Sequence, residues 1–299
     1  MTTHSEFEMQ PGNDFKMDTV QANGLSFSFI EMGEGPLILA LHGFPDLPRT
    51  FRYQMVHLSA AGYRVVAPYM RGYFPTDAPP DGPYETAALV QDVLALIDVL
   101  SQNPVILIGH DWGAAAAYGA AIMAPQKISK LITIAVPPGI SKSFITNPNQ
   151  QRRSWYMFFF QMSFAETAVA YNNFAFVEKL LQDWSPGWQY PAKEMAVLTA
   201  TFQKQGVLRA ALNYYRHSLN PENHSPELAH IREHLSDSIG VPTLYIHGAQ
   251  DGCIGVETTE GMESSFTKKV EKRILDGGHF VHQEKPDAVN SIIEEFLKE

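Results

Sequence analysis

One stretch of the sequence decides the fold: residues 105–117 read VILIGHDWGAAAA. The apolar, β-branched residues before Gly109 predict a buried strand, and the alanine-rich residues after Gly113 predict a helix. Only about four residues separate the two elements, so the chain must turn sharply between them. Gly109 and Gly113 flank Asp111 and supply the small side chains that such a turn requires. We therefore expect the Asp111 side chain to stand above the carboxyl end of a parallel sheet.

The aspartate at the centre of this turn suits displacement at a saturated carbon. A serine alkoxide attacking such a carbon would form an ether, which water does not cleave. A carboxylate forms an alkyl ester instead, and activated water hydrolyses an ester readily. The structural alternative is that Asp111 is only a turn residue beside a helix N-terminus, where a carboxylate is favoured in any case.

Length and composition predict a soluble globular protein. The length of 299 residues fits one large α/β domain or a domain with an insertion. Hydrophobic residues make up 45% and charged residues 18%, which is ordinary for a globular protein that buries a sizeable core. The net charge of -10 argues against binding to nucleic acid or to an anionic membrane. Residues 1–15 are expected to form a loosely attached arm without a secretory signal. The single cysteine, Cys253, fits a reducing compartment, so we expect a cytoplasmic protein.

Strands and helices alternate along most of the chain, which predicts a mostly parallel twisted sheet flanked by helices, an α/β fold. Asn23-Gly24 between two alternating runs predicts an antiparallel hairpin. Further strands are expected at 36–41, 64–68, 105–110, 131–136, 242–248 and 269–275, with helices at 87–100, 113–124 and 286–297.

The alternation breaks in the second half of the chain. From about residue 139 to residue 236 no strand is predicted, and an aromatic, methionine-rich run at 154–161 is followed by helix-like segments. We therefore predict an α/β core domain made of residues 1–137 and 237–299. A helical cap domain, residues 138–236, is inserted into it.

Two loops after late strands supply a base and an acid that follow Asp111 in chain order. His279 lies in the sequence GGHF, and Asp251 lies in GAQDG. Asp276 is a second candidate acid, but it precedes the glycine pair and is less suited to orienting the imidazole. Some hydrolases carry the acid after the strand that here ends near residue 136. No acid follows that strand in this sequence, which favours Asp251.

With these residues in place, the sequence resembles the epoxide hydrolase branch of the α/β-hydrolases from about residue 20 onward. The resemblance is carried by HGFP at 42–45, GHDWG at 109–113, GAQD at 248–251, GGH at 277–279, SWYMFFFQ at 154–161 and LNYYR at 212–216. It implies that Asp111 is the nucleophile, that His279 is the base and that Asp251 orients the base.

The resemblance further implies that one tyrosine from each cap motif, Tyr156 and Tyr215, holds the epoxide oxygen. A phenol can donate a hydrogen bond, and then a proton, to the charge that ring opening leaves on this oxygen. Aromatic stretches more often serve packing, and Tyr214 takes the place of Tyr215 if the helix register shifts by one residue.

The main-chain N–H groups of Phe44 and Trp112 are expected to form an oxyanion hole for hydrolysis of the ester. Phe44, Pro45, Trp112 and Trp155 are expected to contact the substrate. The resemblance also implies a cis peptide bond before Pro45. The sequence departs from the family pattern at 74–77, FPTD, where relatives commonly carry a Gly and a Ser, so one wall of the pocket is expected to differ.

The predicted activity converts an apolar epoxide and water to a vicinal diol through an ester on Asp111. No cofactor, nucleic acid or membrane partner is expected, and the oligomeric state stays open between monomer and homodimer. His230 and His234 are four residues apart but lack further ligands, so no metal site is predicted.

The nearest alternative is a haloalkane dehalogenase, which shares the aspartate and the histidine but must cradle a departing halide. Trp112 offers one indole N–H for this purpose, whereas Phe44 stands where several such enzymes carry Asn. A tryptophan from the cap, Trp155, Trp184 or Trp188, can supply the second donor instead, so this alternative stays open. A fluoroacetate dehalogenase would require basic residues after the nucleophile. A binding or signalling member of the fold would not require all the catalytic positions to be filled, as they are here.

Overall fold

A computed structural model describes residues 15–299 of the chain. The arm expected at residues 1–15 lies, apart from Phe15, outside the described residues. The strands are β1 (Lys16–Ala22), β2 (Leu25–Met32), β3 (Leu37–Leu41), β4 (Arg64–Pro68), β5 (Val105–His110), β6 (Ile128–Ile134), β7 (Thr243–Gly248) and β8 (Val270–Leu275).

These strands form a single sheet in the order β1-β2-β4-β3-β5-β6-β7-β8. β2 pairs antiparallel with both β1 and β4, and all other neighbours are parallel. The turn between β1 and β2 is made by Asn23 and Gly24, both with positive φ, as two-residue hairpin turns require. The predicted hairpin and the mostly parallel sheet are confirmed.

Helices cover both faces of the sheet. The helices are α1 (Arg52–Ala60), α2 (Thr86–Leu100), α3 (Trp112–Met123), α4 (Ser141–Thr146), α5 (Pro148–Arg153), α6 (Trp155–Phe159), α7 (Ala165–Trp184), α8 (Ala192–Phe202), α9 (Val207–Leu219), α10 (Ala229–Arg232), α11 (Val281–Glu284) and α12 (Pro286–Lys298). Helix α2 packs against α3, and α1 packs against α12. No helix within residues 15–299 combines the length and the apolar character needed to cross a bilayer.

The strand order reverses direction around β3 and β5. From β3 the chain crosses to β4 on one side, and from β4 it returns past β3 to β5 on the other. At such a switch point the loops at the carboxyl ends of the two strands separate and leave a crevice. The loop after β3 begins at His42, and the turn after β5 contains Asp111, so the topology places both beside this crevice.

The segment between β6 and β7 contains helices α4 to α10 and, within the described residues, no strand. Four of its aromatic side chains are buried: Tyr156, Phe160, Trp184 and Tyr215 are each at most 2% exposed. Helix α7 is interrupted by non-helical backbone at residues 171–174. The helical character expected for residues 138–236 is therefore present, and their division from the core as a cap domain stays a prediction.

Two glycines allow the sharp turn between β5 and α3. A Cβ on Gly113 would overlap the carbonyl group of Leu41 in β3, and a Cβ on Gly109 would overlap the carbonyl group of Gly113. Backbone atoms at the centre of a close-packed sheet cannot move aside as a flexible side chain can. Only glycine therefore lets the first turn of α3 lie directly on β3.

We expect Gly113→Ala to lower the free energy of unfolding by about 3 kcal/mol, because the added methyl group must push β3 and α3 apart. Gly240→Ala is the matched control, since a Cβ there would meet only the Thr267 hydroxyl oxygen at 3.7 Å. Urea unfolding followed by circular dichroism measures both changes. Equal stability of the two variants would contradict this account of the turn.

Candidate active site

Asp111 occupies the turn between β5 and α3 in a strained conformation. Its backbone angles are φ 53° and ψ −119°, a region that costs a non-glycine residue about 1–3 kcal/mol. The residue is 7% exposed, and its Oδ1 accepts a hydrogen bond of 2.8 Å from the Phe44 N–H. The carboxylate thus stands above the carboxyl ends of β3 and β5, where the sequence predicted it.

A cavity of about 390 Å³ reaches this carboxylate. Its lining is mainly apolar and includes Trp112, Tyr156, Met157, Tyr215 and Ile254. It also contains polar residues, among them Ser218, Ser236, Asp237 and Ser265.

His279 lies between two carboxylates. Its Nδ1–H donates a 2.8 Å hydrogen bond to Asp251 Oδ2, and its Nε2 is 3.6 Å from Asp111 Oδ2. The other oxygen of Asp251 accepts from the N–H groups of Cys253 at 2.7 Å and Ile254 at 2.8 Å. Asp251 is therefore fixed on both sides, and it fixes the tautomer and the orientation of the imidazole.

The alternative acid, Asp276, does not reach the imidazole. Its side chain is exposed and accepts a 2.7 Å hydrogen bond from Gln250 Nε2. The structure brings Asp251, not Asp276, to His279.

The two carboxylates control the charge of His279. Burial by itself lowers the pKa of this imidazole, but the charge of Asp251 and the neighbouring Asp111 outweigh burial and raise the pKa to about 10. Two other buried histidines nearby behave in the opposite way. Burial lowers the pKa of His42 to about 4 and that of His110 to about 3, so both are neutral at physiological pH.

Tyr156 and Tyr215 face each other with their ring centroids 5.6 Å apart. Burial raises the pKa of both phenols well above the usual value, so each keeps its proton at neutral pH and can donate it. Within residues 15–299 the Tyr215 hydroxyl has no hydrogen-bond partner, whereas the Tyr156 hydroxyl lies 3.3 Å from the Cys253 sulfur. Tyr214 instead donates to the Arg71 carbonyl oxygen at 2.7 Å. The helix register therefore turns Tyr215 toward the cavity and Tyr214 away from it.

Two further expectations concern the backbone around the site. The Phe44–Pro45 peptide bond is cis, which confirms the expectation. The Phe74–Pro75 bond, in the segment 74–77 where the sequence departs from the family pattern, is cis as well. The Trp112 ring lines the cavity, but within the described chain its main-chain N–H makes no hydrogen bond to Asp111.

Trp155 stands apart from the other predicted site residues. It is 48% exposed, it packs against Phe159 and Phe176, and it does not line the cavity. The structure therefore does not bring this predicted substrate contact to Asp111.

Sequence reasoning missed the residues that join the two catalytic loops. The carbonyl oxygen of Trp184, at the end of α7, accepts hydrogen bonds of 3.0 Å from both Gly252 and His279. The buried Gln150 amide donates to the Cys253 carbonyl oxygen at 2.8 Å and accepts from the Gly255 N–H at 2.9 Å. Trp184 acts here through its backbone, which leaves no signature in residue type.

One group of side chains in the described residues has the composition and spacing of metal ligands. One ligand atom each from Asp111, Cys253 and His279 lie within 4.8 Å of one another. Cys253 was not among the predicted site residues. His230 and His234 are not part of such a group: His230 bonds to the Glu227 carbonyl oxygen, and His234 pairs with Asp237.

We expect Asp111→Asn to lower the pKa of His279 below its value of about 10, because the substitution removes one of the two charges that stabilise the imidazolium. His279 would then lose its proton at a lower pH than in the unmodified protein. Imidazole nitrogen chemical shifts measured by NMR across a pH titration follow this change. Asp237→Asn, beside the exposed His234, is the control and leaves His279 unchanged. An identical His279 titration in Asp111→Asn would contradict the coupling.

Comparisons with known proteins agree with this geometry. Residues 36–286 match the family described as the alpha/beta hydrolase fold. Human epoxide hydrolase 4 is 32% identical over 292 residues, which cover 94% of this chain and 78% of that protein. The crystal structure of the Bacillus megaterium epoxide hydrolase in complex with an inhibitor superposes with a TM-score of 0.82 at 28% identity, covering 94% of this chain and 100% of that one. An epoxide hydrolase from Vigna radiata gives a TM-score of 0.80 at 28% identity, covering 95% and 98%. The chain therefore belongs to the α/β-hydrolase fold family and, within it, to the epoxide hydrolases.

Proposed function

We propose that this protein hydrolyses an apolar epoxide to a vicinal diol in two steps, through an ester on Asp111. One observation carries the proposal: a carboxylate and a phenol line one cavity, and a buried imidazole lies beside the carboxylate. Asp111 and Tyr215 both line the cavity, His279 Nε2 is 3.6 Å from Asp111 Oδ2, and the Tyr215 hydroxyl has no hydrogen-bond partner within residues 15–299. The relatives named as epoxide hydrolases support the same reaction.

The first step is attack of Asp111 on a ring carbon. Because Oδ1 is bound by the Phe44 N–H, Oδ2 is the oxygen free to attack. The new carbon–oxygen bond forms as the ring carbon–oxygen bond breaks, and the electron pair of the broken bond moves to the epoxide oxygen. Tyr215, with Tyr156 opposite it, donates a hydrogen bond and then a proton to that oxygen. This donation matters because an alkoxide is poorly stabilised in an apolar cavity.

The second step is hydrolysis of the ester by water. Esterification removes the negative charge of Asp111, and with it part of the cause that holds the pKa of His279 at about 10. The imidazolium can then give up its Nε2 proton, which balances the proton that the phenol gave to the epoxide oxygen, and act as a base through Nε2, while Asp251 keeps Nδ1 protonated. His279 takes a proton from water as the water oxygen attacks the carboxyl carbon of the ester, and the Phe44 N–H stabilises the negative charge on Oδ1. When the bond between the carboxyl carbon and the substrate oxygen breaks, His279 returns that proton to the departing oxygen, the diol leaves, and Asp111 keeps one oxygen atom from water.

The lining of the cavity favours an epoxide with an apolar substituent. Trp112, Met157, Phe144 and Ile254 present mainly hydrocarbon surface along it. We also propose that residues 138–236 act as a cap over the core. They supply both tyrosines and, through the Trp184 carbonyl oxygen, a support for the loops of Asp251 and His279.

The two-step reaction predicts that His279→Gln forms the ester but does not hydrolyse it. Incubation with styrene oxide should raise the intact mass of this variant by the mass of one substrate molecule, on the peptide that contains Asp111. The double variant Asp111→Asn, His279→Gln is the matched control and should gain no mass. Lack of a covalent adduct in a folded His279→Gln protein would exclude the ester. With excess unmodified enzyme in ¹⁸O water, label should enter Asp111 before it enters the diol.

The adjacent tyrosines provide a second test. We expect Tyr215→Phe to slow ester formation by about 10²-fold or more, since it removes a donor to the epoxide oxygen. Tyr214→Phe should cost about 1 kcal/mol of stability, because the Arg71 carbonyl oxygen loses its partner, and should change the rate much less. Single-turnover kinetics and urea unfolding separate the two effects. Equal rates in the two variants would remove Tyr215 from the proposed reaction.

A further inference from the structure

The steps above make no use of Cys253, although its thiol lies among the reacting groups. Its sulfur is completely buried, and one ligand atom each from Cys253, Asp111 and His279 lie within 4.8 Å of one another. The sulfur also contacts the Tyr156 hydroxyl at 3.3 Å. A buried thiol, carboxylate and imidazole therefore converge on one point, and Asp111 is the residue among them that lines the cavity.

These three groups are the ligand types that bind zinc and related soft divalent cations in proteins. On binding, the Cys253 thiol and the protonated Nε2 of His279 each release one proton to solvent. The resulting thiolate and the Asp111 carboxylate together carry two negative charges, which a divalent cation neutralises. A neutral complex of this kind can be buried without leaving an unpaired charge. In an open zinc site three protein ligands leave the fourth position to water, and the cavity beside Asp111 provides room for it.

The surroundings already orient the histidine for such a role. Asp251 accepts the Nδ1–H of His279, which leaves Nε2 as the lone-pair nitrogen in the neutral ring. Carboxylate–histidine–metal arrangements in proteins use this contact. Within residues 15–299 Nε2 has no hydrogen-bond partner, and it lies 3.6 Å from Asp111 Oδ2. Two ligands of a tetrahedral zinc ion are separated by roughly 3.3 Å, so this pair needs little movement, and the sulfur must approach by roughly 1 Å.

We propose that Asp111, Cys253 and His279 form a binding site for a thiophilic divalent cation, Zn²⁺ or Cd²⁺. Bound metal would occupy the nucleophilic oxygen of Asp111 and the basic nitrogen of His279 at the same time. It would therefore inhibit the enzyme reversibly, in competition with substrate. The inhibition rests on the proposed function, whereas the binding rests on the geometry alone.

The sequence makes the binding test sharp because Cys253 is the only cysteine among the 299 residues. Titration of the full-length protein with cadmium chloride should produce the ultraviolet absorption band of a cadmium–thiolate bond. The band should saturate at one cation per chain. It should be absent in Cys253→Ala, and the affinity should fall at least tenfold in Asp111→Asn and in His279→Gln. Circular dichroism establishes that each variant is folded.

His234→Ala is the control for adventitious binding at the exposed pair His230 and His234, and it should leave the band unchanged. A folded protein that shows no band, or one whose affinity is unchanged in both Asp111→Asn and His279→Gln, overturns the site. Diol formation should fall as the band grows and recover on addition of a chelator. Metal binding without loss of diol formation would overturn the inhibition. Because the absorption needs no turnover, failure of the proposed function would be seen separately.

Discussion

The close approach of α3 to β3 at Gly113 is the constraint on which the site depends. It forces the chain into a turn so tight that Asp111 adopts a positive φ, at a cost of about 1–3 kcal/mol. The hydrogen bond from the Phe44 N–H to the carboxylate contributes about 1.5–3 kcal/mol, because the acceptor is charged. The two free energies are similar, so the hydrogen bond alone only about offsets the backbone strain at Asp111. The packing of the sheet and α3 around the glycines must hold the turn.

The other catalytic groups reach Asp111 because parallel strands end at the same edge of the sheet. β7 and β8 are neighbours, so Asp251 and His279 arrive on adjacent loops, and Gly248 lets the ends of these loops pack closely. The carbonyl oxygen of Trp184 then bonds to both loops. The 2.8 Å hydrogen bond between His279 and Asp251 is thus supported by α7, which lies far from both residues in the sequence. The helical insertion therefore helps to position the two loops of the core.

Much of this arrangement could be predicted from local sequence patterns. The hairpin at Asn23-Gly24 and the glycines around Asp111 act over a few residues, and short-range patterns record such effects. β6 was expected at residues 131–136 but spans Ile128–Ile134. It ends before the prolines because Ala135 takes a positive φ, which breaks the extended backbone. Trp155 and Tyr156 are neighbours on a helix, where consecutive side chains point about 100° apart, so only Tyr156 faces the site.

The sequence does not predict the protonation state of His279, because that state depends on opposing electrostatic effects. Burial favours the neutral ring and two carboxylates favour the charged one, so the outcome depends on distances of a few ångströms. A pKa of about 10 would leave the ring protonated at neutral pH and unsuited to act as a base. In the proposed reaction, esterification of Asp111 removes one of the two charges, so the ring becomes a base only after the ester has formed. The same pair of anions, with a thiol beside them, would also favour a divalent cation in that position. Both proposals therefore rest on the same balance of charges around His279.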